Sequence, residues 1–317
     1  MGKARGDNSA MRISRSPALL TPLLVALSTL IFAAAASAAF PGRNGPIAFV
    51  KTGDDIYLMR GDGTHERLVY HDRRNSLHDP AFSPNGKRIV FVRQSSLGAT
   101  RLAVVRRDGT HLRRLTHKPL QAADPGFSPT GRRIVFAAAS PRHGYEIMVM
   151  RSDGTHRRAL THVGPNASIM DLTPEFRPSG NRIVFERDTA NTALAGIYVM
   201  RADGTHLRRL TDGGGDPDFS ADGKRIAFER GQTDYPFYCQ IVVMRSDGSH
   251  QEPITDDAAC NTLPAFSPNG KKIAFQRDPV TAPYRSMIYA MRADGTHQRR
   301  LTGHRRTSEQ LNWGVRP

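Results

Sequence analysis

The chain has 317 residues, 38% of them hydrophobic, with 28 glycines and 21 prolines, a balance that suits many short strands joined by turns rather than long helices. A net charge of +16 favours anionic partners. The two cysteines, Cys239 and Cys260, stand 21 residues apart and do not resemble a zinc site.

The first 38 residues read as a secretory signal. Lys3, Arg5, Arg12 and Arg15 form a positive start, and Met11 offers an internal one. An apolar run follows from Ala18 to Ala36, and Ala36-Ser37-Ala38 supplies the small residues of a cleavage site. Pro22, Ser28 and Thr29 interrupt the run, which argues against a retained anchor. No later apolar stretch approaches membrane-spanning length. The expected product is residues 39–317, carrying +13 and exported to the periplasm or secreted. An exported cysteine pair is expected to be bonded.

A repeat then runs to the end of the chain. The first unit opens at Ile47-Ala-Phe49 and reaches Asp62-Gly-Thr-His65. The same four-residue string begins at Asp108, Asp153, Asp203 and Asp294, and Asp247 begins a serine variant, so copies lie 44 to 50 residues apart. A second string alternates with it: Phe82-Ser-Pro-Asn-Gly86, Phe127-Ser-Pro-Thr-Gly131, Phe176-Arg-Pro-Ser-Gly180, Phe219-Ser-Ala-Asp-Gly223 and Phe266-Ser-Pro-Asn-Gly270. Each leads into Ile-Val-Phe or Ile-Ala-Phe. One unit therefore predicts four antiparallel strands. The proline-containing string turns strand one into strand two. The β-branched and aromatic triplet is strand two, and Asp-Gly makes a tight hairpin between strands three and four. Pro253 falls in a fourth strand, which fits an outer edge.

The chain ends complete the pattern. The N-terminal unit has no good first strand, and Gln310-Leu-Asn-Trp313-Gly is left over at the C-terminus. Trp313 aligns with Phe82 and Phe127. The expected fold is all-β: a six-bladed β-propeller of four-stranded antiparallel blades, closed by the C-terminal strand joining the first blade.

The Phe-Ser-Pro-x-Gly-x-x-Ile-x-Phe and Ile-Tyr-x-Met strings resemble the WD-like propeller repeat of TolB over about residues 40–317. The resemblance is to the propeller alone, since a 38-residue leader leaves no room for the N-terminal α/β domain that TolB carries. It implies a binding propeller. Related repeats also occur in prolyl oligopeptidase-type peptidases and some pectin-degrading lyases.

The histidines after the hairpin turns sit one per unit, roughly 15–20 Å apart, too far to share a metal ion. No nucleophile elbow, phosphate loop or metalloprotease motif is present. No metal or cofactor is expected. The loops after the second strands vary most: Gln94–Thr100, Pro141–Tyr145, Asp188–Ala195, Gly231–Tyr238 and Asp278–Arg285. Asp79, Asp124 and Asp216 precede prolines near the inner end of that face, where Thr173, Leu263 and Gln310 are the equivalents. Each aspartate could instead bond its own turn. Glu186, Arg187, Glu229, Arg230 and Arg277 end second strands on the same side, and Tyr235, Phe237 and Tyr238 supply aromatic anchors. A Cys239–Cys260 disulfide would pin that aromatic loop, with Cys260 in an inter-blade loop.

These residues are the candidate binding site of a monomeric, non-enzymatic scaffold that engages a protein or an anionic cell-envelope polymer. The alternative is a polysaccharide lyase or hydrolase with its site at the channel mouth. Nucleic acid is disfavoured by export and by the even spread of basic residues.

Overall fold

Alternating apolar strands punctuated by Pro-x-Gly and Asp-Gly turns fold here into β-structure alone. The structure, a computed structural model, describes residues 40–51, 55–140, 143–164, 169–231, 238–257, 259–279, 286–303 and 308–316. The leader, Tyr235 and Phe237 lie outside these. No helix among the described residues is long and apolar enough to cross a membrane.

The first sheet holds β1 (Asn44–Lys51), β2 (Asp55–Met59) and β3 (Arg67–His71). The second holds β4 (Asn75–Phe82), β5 (Arg88–Ser95), β6 (Thr100–Arg106) and β7 (Arg113–Arg114). The third holds β8 (Gln121–Phe127), β9 (Arg133–Ser140), β10 (His143–Arg151) and β11 (Arg158–Ala159). The fourth holds β12 (Ile169–Phe176), β13 (Arg182–Thr189), β14 (Gly196–Arg201) and β15 (Arg208–Arg209). Then follow β16 (Gly215–Phe219), β17 (Arg225–Gly231), β18 (Cys239–Arg245) and β19 (Glu252–Pro253). Next come β20 (Ala259–Phe266), β21 (Lys272–Pro279), β22 (Met287–Arg292) and β23 (Arg299–Arg300). The last strand, β24 (Ser308–Val315), lies beside β1 with Trp313 opposite Ile47.

Four of the sheets have four strands and one has eight, where the repeat predicts six separate sheets. The two halves of the large sheet each have the four-stranded order, and a parallel bridge between Cys239 and Cys260 joins them. The same two residues are disulfide-bonded. Cys260 therefore lies in β20 rather than in a loop, because the bond holds the start of β20 against the start of β18.

Two aromatic residues per unit build the core. Phe82, Phe127, Phe176, Phe219 and Phe266 come from first strands and Phe49, Phe91, Phe136, Phe185, Phe228 and Phe275 from second strands, all fully buried. Clusters form between neighbouring sheets: Phe91 with Ile56 and Val69, Phe185 with Val135 and Ile147. Apolar faces buried sheet on sheet are the main stabilising contribution, about 1.5–3 kcal/mol per large side chain. The innermost strands close a cycle, β4 to β8, β12, β16, β20, β24 and back to β4.

The Leu-Thr that ends most repeats has a backbone role. The hydroxyls of Thr116, Thr161, Thr211, Thr255 and Thr302 accept the N–H of Leu102, Ile147, Ile197, Ile241 and Ile288 at 2.9–3.0 Å. Each closes a fourth strand only two residues long onto the third.

Candidate functional site

Every first strand carries the same kink. Its residue before proline, or before Leu311 in β24, has a positive φ: Asp79 51°, Asp124 50°, Thr173 49°, Asp216 49°, Leu263 54° and Gln310 53°. Proline normally keeps its predecessor extended, and β-branched or bulky residues avoid this region. The ladder slips at the same place, between His78 and Ala81, Ala123 and Gly126, Leu172 and Glu175, Gly215 and Asp218, and Thr262 and Ala265. A bulge frees the strained residue's N–H from its own ladder.

Those N–H groups go to the neighbouring unit. Asp79 N donates to Gln310 Oε1 (3.2 Å), Asp124 N to Asp79 Oδ2 (3.4 Å), and Thr173 N to Asp124 Oδ2 (3.1 Å). Asp216 N donates to Glu186 Oε2 (3.2 Å), Leu263 N to Glu229, and Gln310 N to Gln276 Oε1 (3.4 Å). Six side chains thus fasten six backbone donors around the axis. Asp79 and Asp124 bond across sheets, not within their own turns, whereas the Asp216 carboxyl bonds Glu229 of its own sheet. Asp79, Asp124 and Asp216 are buried, while Glu186 and Glu229 are half-buried. Gly215 makes room for this ring, since a Cβ there would lie 2.8 Å from Glu186 Oε2.

A second tier lies two residues along. Asn312 accepts the N–H of Phe82 (2.9 Å), Glu175 that of Phe219 (2.9 Å), and Asp218 that of Phe266 (2.6 Å). Ala81, Gly126 and Ala265 occupy this position elsewhere, so an acidic residue between proline and the aromatic was a legible signal that the sequence reading passed over. Gln276, which aligns with Glu186 and Glu229 at the exits of second strands, holds the sixth acceptor position.

Crowding carboxyls together changes their chemistry. Burial raises Asp79 well above the carboxylate range, and the charge of Asp124 adds to it. Burial likewise raises Asp216, with Glu229, Glu186 and Asp124 contributing. Glu186 is pushed up to about 8 by burial and then by Glu229. Glu229 is pushed up to about 7 by burial, opposed by hydrogen bonds from Asp216 and the Leu263 N–H. Carboxyl–carboxyl hydrogen bonds join Asp79 to Asp124, Asp216 to Glu229 and Glu175 to Asp218. Such a contact needs a shared proton. Tyr145, buried beside Asp124 and Asp79, is raised to about 12.

The arginines after Glu186, Glu229 and Gln276 turn the other way, because successive residues of a strand face opposite sides. Arg187 forks onto Asp171 (2.6 and 2.9 Å) and lies over the Tyr198 ring at 4.8 Å. Arg277 donates to Asn261 (2.7 Å), pairs with Asp257 and lies over Tyr289 at 4.5 Å. Arg230 lies over Phe228 and bonds Gln251. The structure therefore brings Asp79, Asp124, Asp216, Glu186 and Glu229 together and commits Arg187, Arg230 and Arg277 to contacts within and beside their own sheets. Tyr238 is half-buried just before Cys239. Each turn histidine is exposed, with Nδ1 2.8–3.1 Å from the preceding hydroxyl.

No family model matches the chain, and no curated protein does. Solved structures do. TolB from Acinetobacter baumannii superposes with a TM-score of 0.73 at 21% identity, covering 87% of this chain and 68% of that one. A putative TolB from Agrobacterium tumefaciens gives 0.65 at 21%, covering 85% and 98%. An oligogalacturonate lyase from Vibrio parahaemolyticus gives 0.57 at 12%, covering 77% and 73%. The fold is a TolB-like β-propeller.

Proposed function

We propose that the chain is an exported, non-catalytic binding propeller of six blades, the eight-stranded sheet serving as two. Its partner is a protein or an envelope polymer, held by the variable loops around the channel mouth. One observation carries this reading: the polar residues of the channel are bonded to the backbone of the next unit, so they brace a rigid scaffold and leave the loops to vary. The described loop between β5 and β6 presents Leu97 almost fully exposed, at 92%. Beside it is a cavity of about 480 Å³ lined by Arg93, Arg101, Arg114, His117 and Lys118. Exposed apolar groups rimmed by charge are typical of partner surfaces. The likeness to the TolB structures supports the same reading. With a photo-crosslinker in place of the exposed neighbour Ser96, adducts from the native envelope should map to one partner, and an added Leu97→Asp should abolish them. Crosslinks unchanged by Leu97→Asp would remove this face from consideration.

A second reading rests on Glu186 and Glu229. Two adjacent carboxyls titrating at about 8 and about 7 are suited to proton transfer near neutrality. The lyase among the solved structures points to acidic polysaccharide as the substrate class. Incubation with polygalacturonate, followed by ultraviolet absorbance of unsaturated product, separates the two. The binding reading expects no turnover; turnover lost in Glu186→Gln, Asp124→Asn or Asp216→Asn would establish the lyase.

A further inference from the structure

The turns between first and second strands and those between third and fourth strands share the face opposite the variable loops. Each Asp-Gly turn begins with an arginine at or just past the strand end and one linking residue. That linking residue is Gly61, Ser152, Ala202, Ser246 and Ala293 in five units, and Arg107 in the second. Its backbone duty is the same in the second to sixth units. Arg107 N donates to Lys87 O at 2.9 Å, as Ser152 does to Arg132, Ala202 to Asn181, Ser246 to Lys224 and Ala293 to Lys271. Small side chains suffice for the scaffold, so the Arg107 guanidinium is extra to it.

Arg107 stands in an unusually cationic place. It lines a cavity of about 720 Å³ together with Arg67, Lys87, Arg88 and Arg106, with Asp108 as the lone acid. It also lines an adjoining cavity of about 480 Å³ with Arg60, Lys272 and Arg316, where Asp62 is the acid. Both aspartates are already engaged by their own turns, Asp108 by the N–H and hydroxyl of Thr110, Asp62 by those of Thr64. Arg67 donates to the Arg107 carbonyl at 3.2 Å, which brings its positive charge against Arg107. Partial burial and that charge hold Arg107 below its ordinary pKa. No carboxylate of the described residues forms an ion pair with Arg67, Lys87, Arg88, Arg106 or Arg107.

We propose that the paired cavities flanking Arg107 form a binding site for a phosphate-bearing polyanion, with consecutive phosphates seated on either side of the Arg107 side chain. Cations converge there from β3, from the start of β5 and from the end of β6. A planar carboxylate is matched by a single guanidinium fork. A phosphate offers several acceptor oxygens in three dimensions and suits such a surround. Two cavities sharing one arginine call for a ligand with at least two anionic groups. The site is independent of the variable-loop reading.

The test uses the full chain and fluorescein-labelled inorganic polyphosphate in an anisotropy titration. Arg107→Ser copies the residue that two other units carry, so folding is kept, as a melting curve will verify. Polyphosphate affinity should fall about tenfold in Arg107→Ser. Arg132→Ser, which removes one charge from the same face but lines neither cavity, should change it less than twofold. Polygalacturonate at equal charge concentration should compete poorly. Absence of polyphosphate binding, equal loss in both variants, or preference for polygalacturonate would each overturn the proposal.

Discussion

Single residues carry the closest contacts between neighbouring units. In the second unit's hairpin, Gly109 has φ +87°, and a Cβ there would lie 2.1 Å from the carbonyl oxygen of Val69 in the preceding sheet. The turn thus needs glycine twice over, for its backbone angle and for the close approach. Gly109→Ala should lower unfolding stability by about 2 kcal/mol or more in urea titration; a change under about 0.5 kcal/mol would mean that the sheets can shift apart without cost. The histidine of each turn is explained the same way. All six sit at φ 53–58°, a region that histidine tolerates better than most side chains, and their rings bond the preceding Thr or Ser.

At the level of strands, the repeated motifs prove to act between sheets as much as within them. Fourth-strand arginines reach the next unit's turn: Arg158 Nη1 to Asp203 O (3.3 Å), Arg208 Nη1 to Asp247 O (3.1 Å) and Arg299 Nη2 to Gly61 O (3.4 Å). Arg88, Arg133 and Arg225, which begin second strands, each lie 5.3 Å over the first-strand phenylalanine of the following unit. The last strand shares in this work. Trp313, 2% exposed, packs with Ile47, Phe49 and Ile288, joining the first sheet to the last. It is the chain's one tryptophan. Trp313→Ala should cost about 3–5 kcal/mol, read by circular dichroism in urea. A loss below about 1 kcal/mol would show that β24 is not what holds the first sheet.

For the molecule as a whole, the carboxyl ring makes stability depend on pH. An unfolded glutamate titrates at about 4.3, whereas Glu186 and Glu229 titrate at about 8 and about 7 when folded. Between those limits the folded chain holds protons that the unfolded chain releases, so stability is complete near pH 4 and falls as pH rises towards 8. The melting temperature should drop from pH 5 to pH 8. Glu186→Gln keeps the acceptor for Asp216 N and removes the titration, so its drop should be smaller. An identical pH profile in that variant would take Glu186 out of the account.

Much of this was legible in the sequence. Strand order within each unit and the hairpin turns follow from local patterning, because period-two alternation and turn chemistry act over a few residues, and the pairing of Trp313 with Ile47 follows from counting repeats, which leaves one unit short of a first strand and one strand over. The ring aspartates were visible as a position, but not their role. Which oxygen meets which N–H depends on a bulge in one sheet facing the edge of the next, a relation across 30 to 231 residues of chain. The split between Glu186 and Arg187 onto opposite faces follows from alternation, yet which of the two faces the ring is set by the packing of whole sheets. The merger of two sheets at Cys239 and Cys260, the elevated carboxyl pKa values and the cationic cavities around Arg107 likewise come from distances between units. Those distances are fixed when the sheets pack, and no local stretch of sequence encodes them.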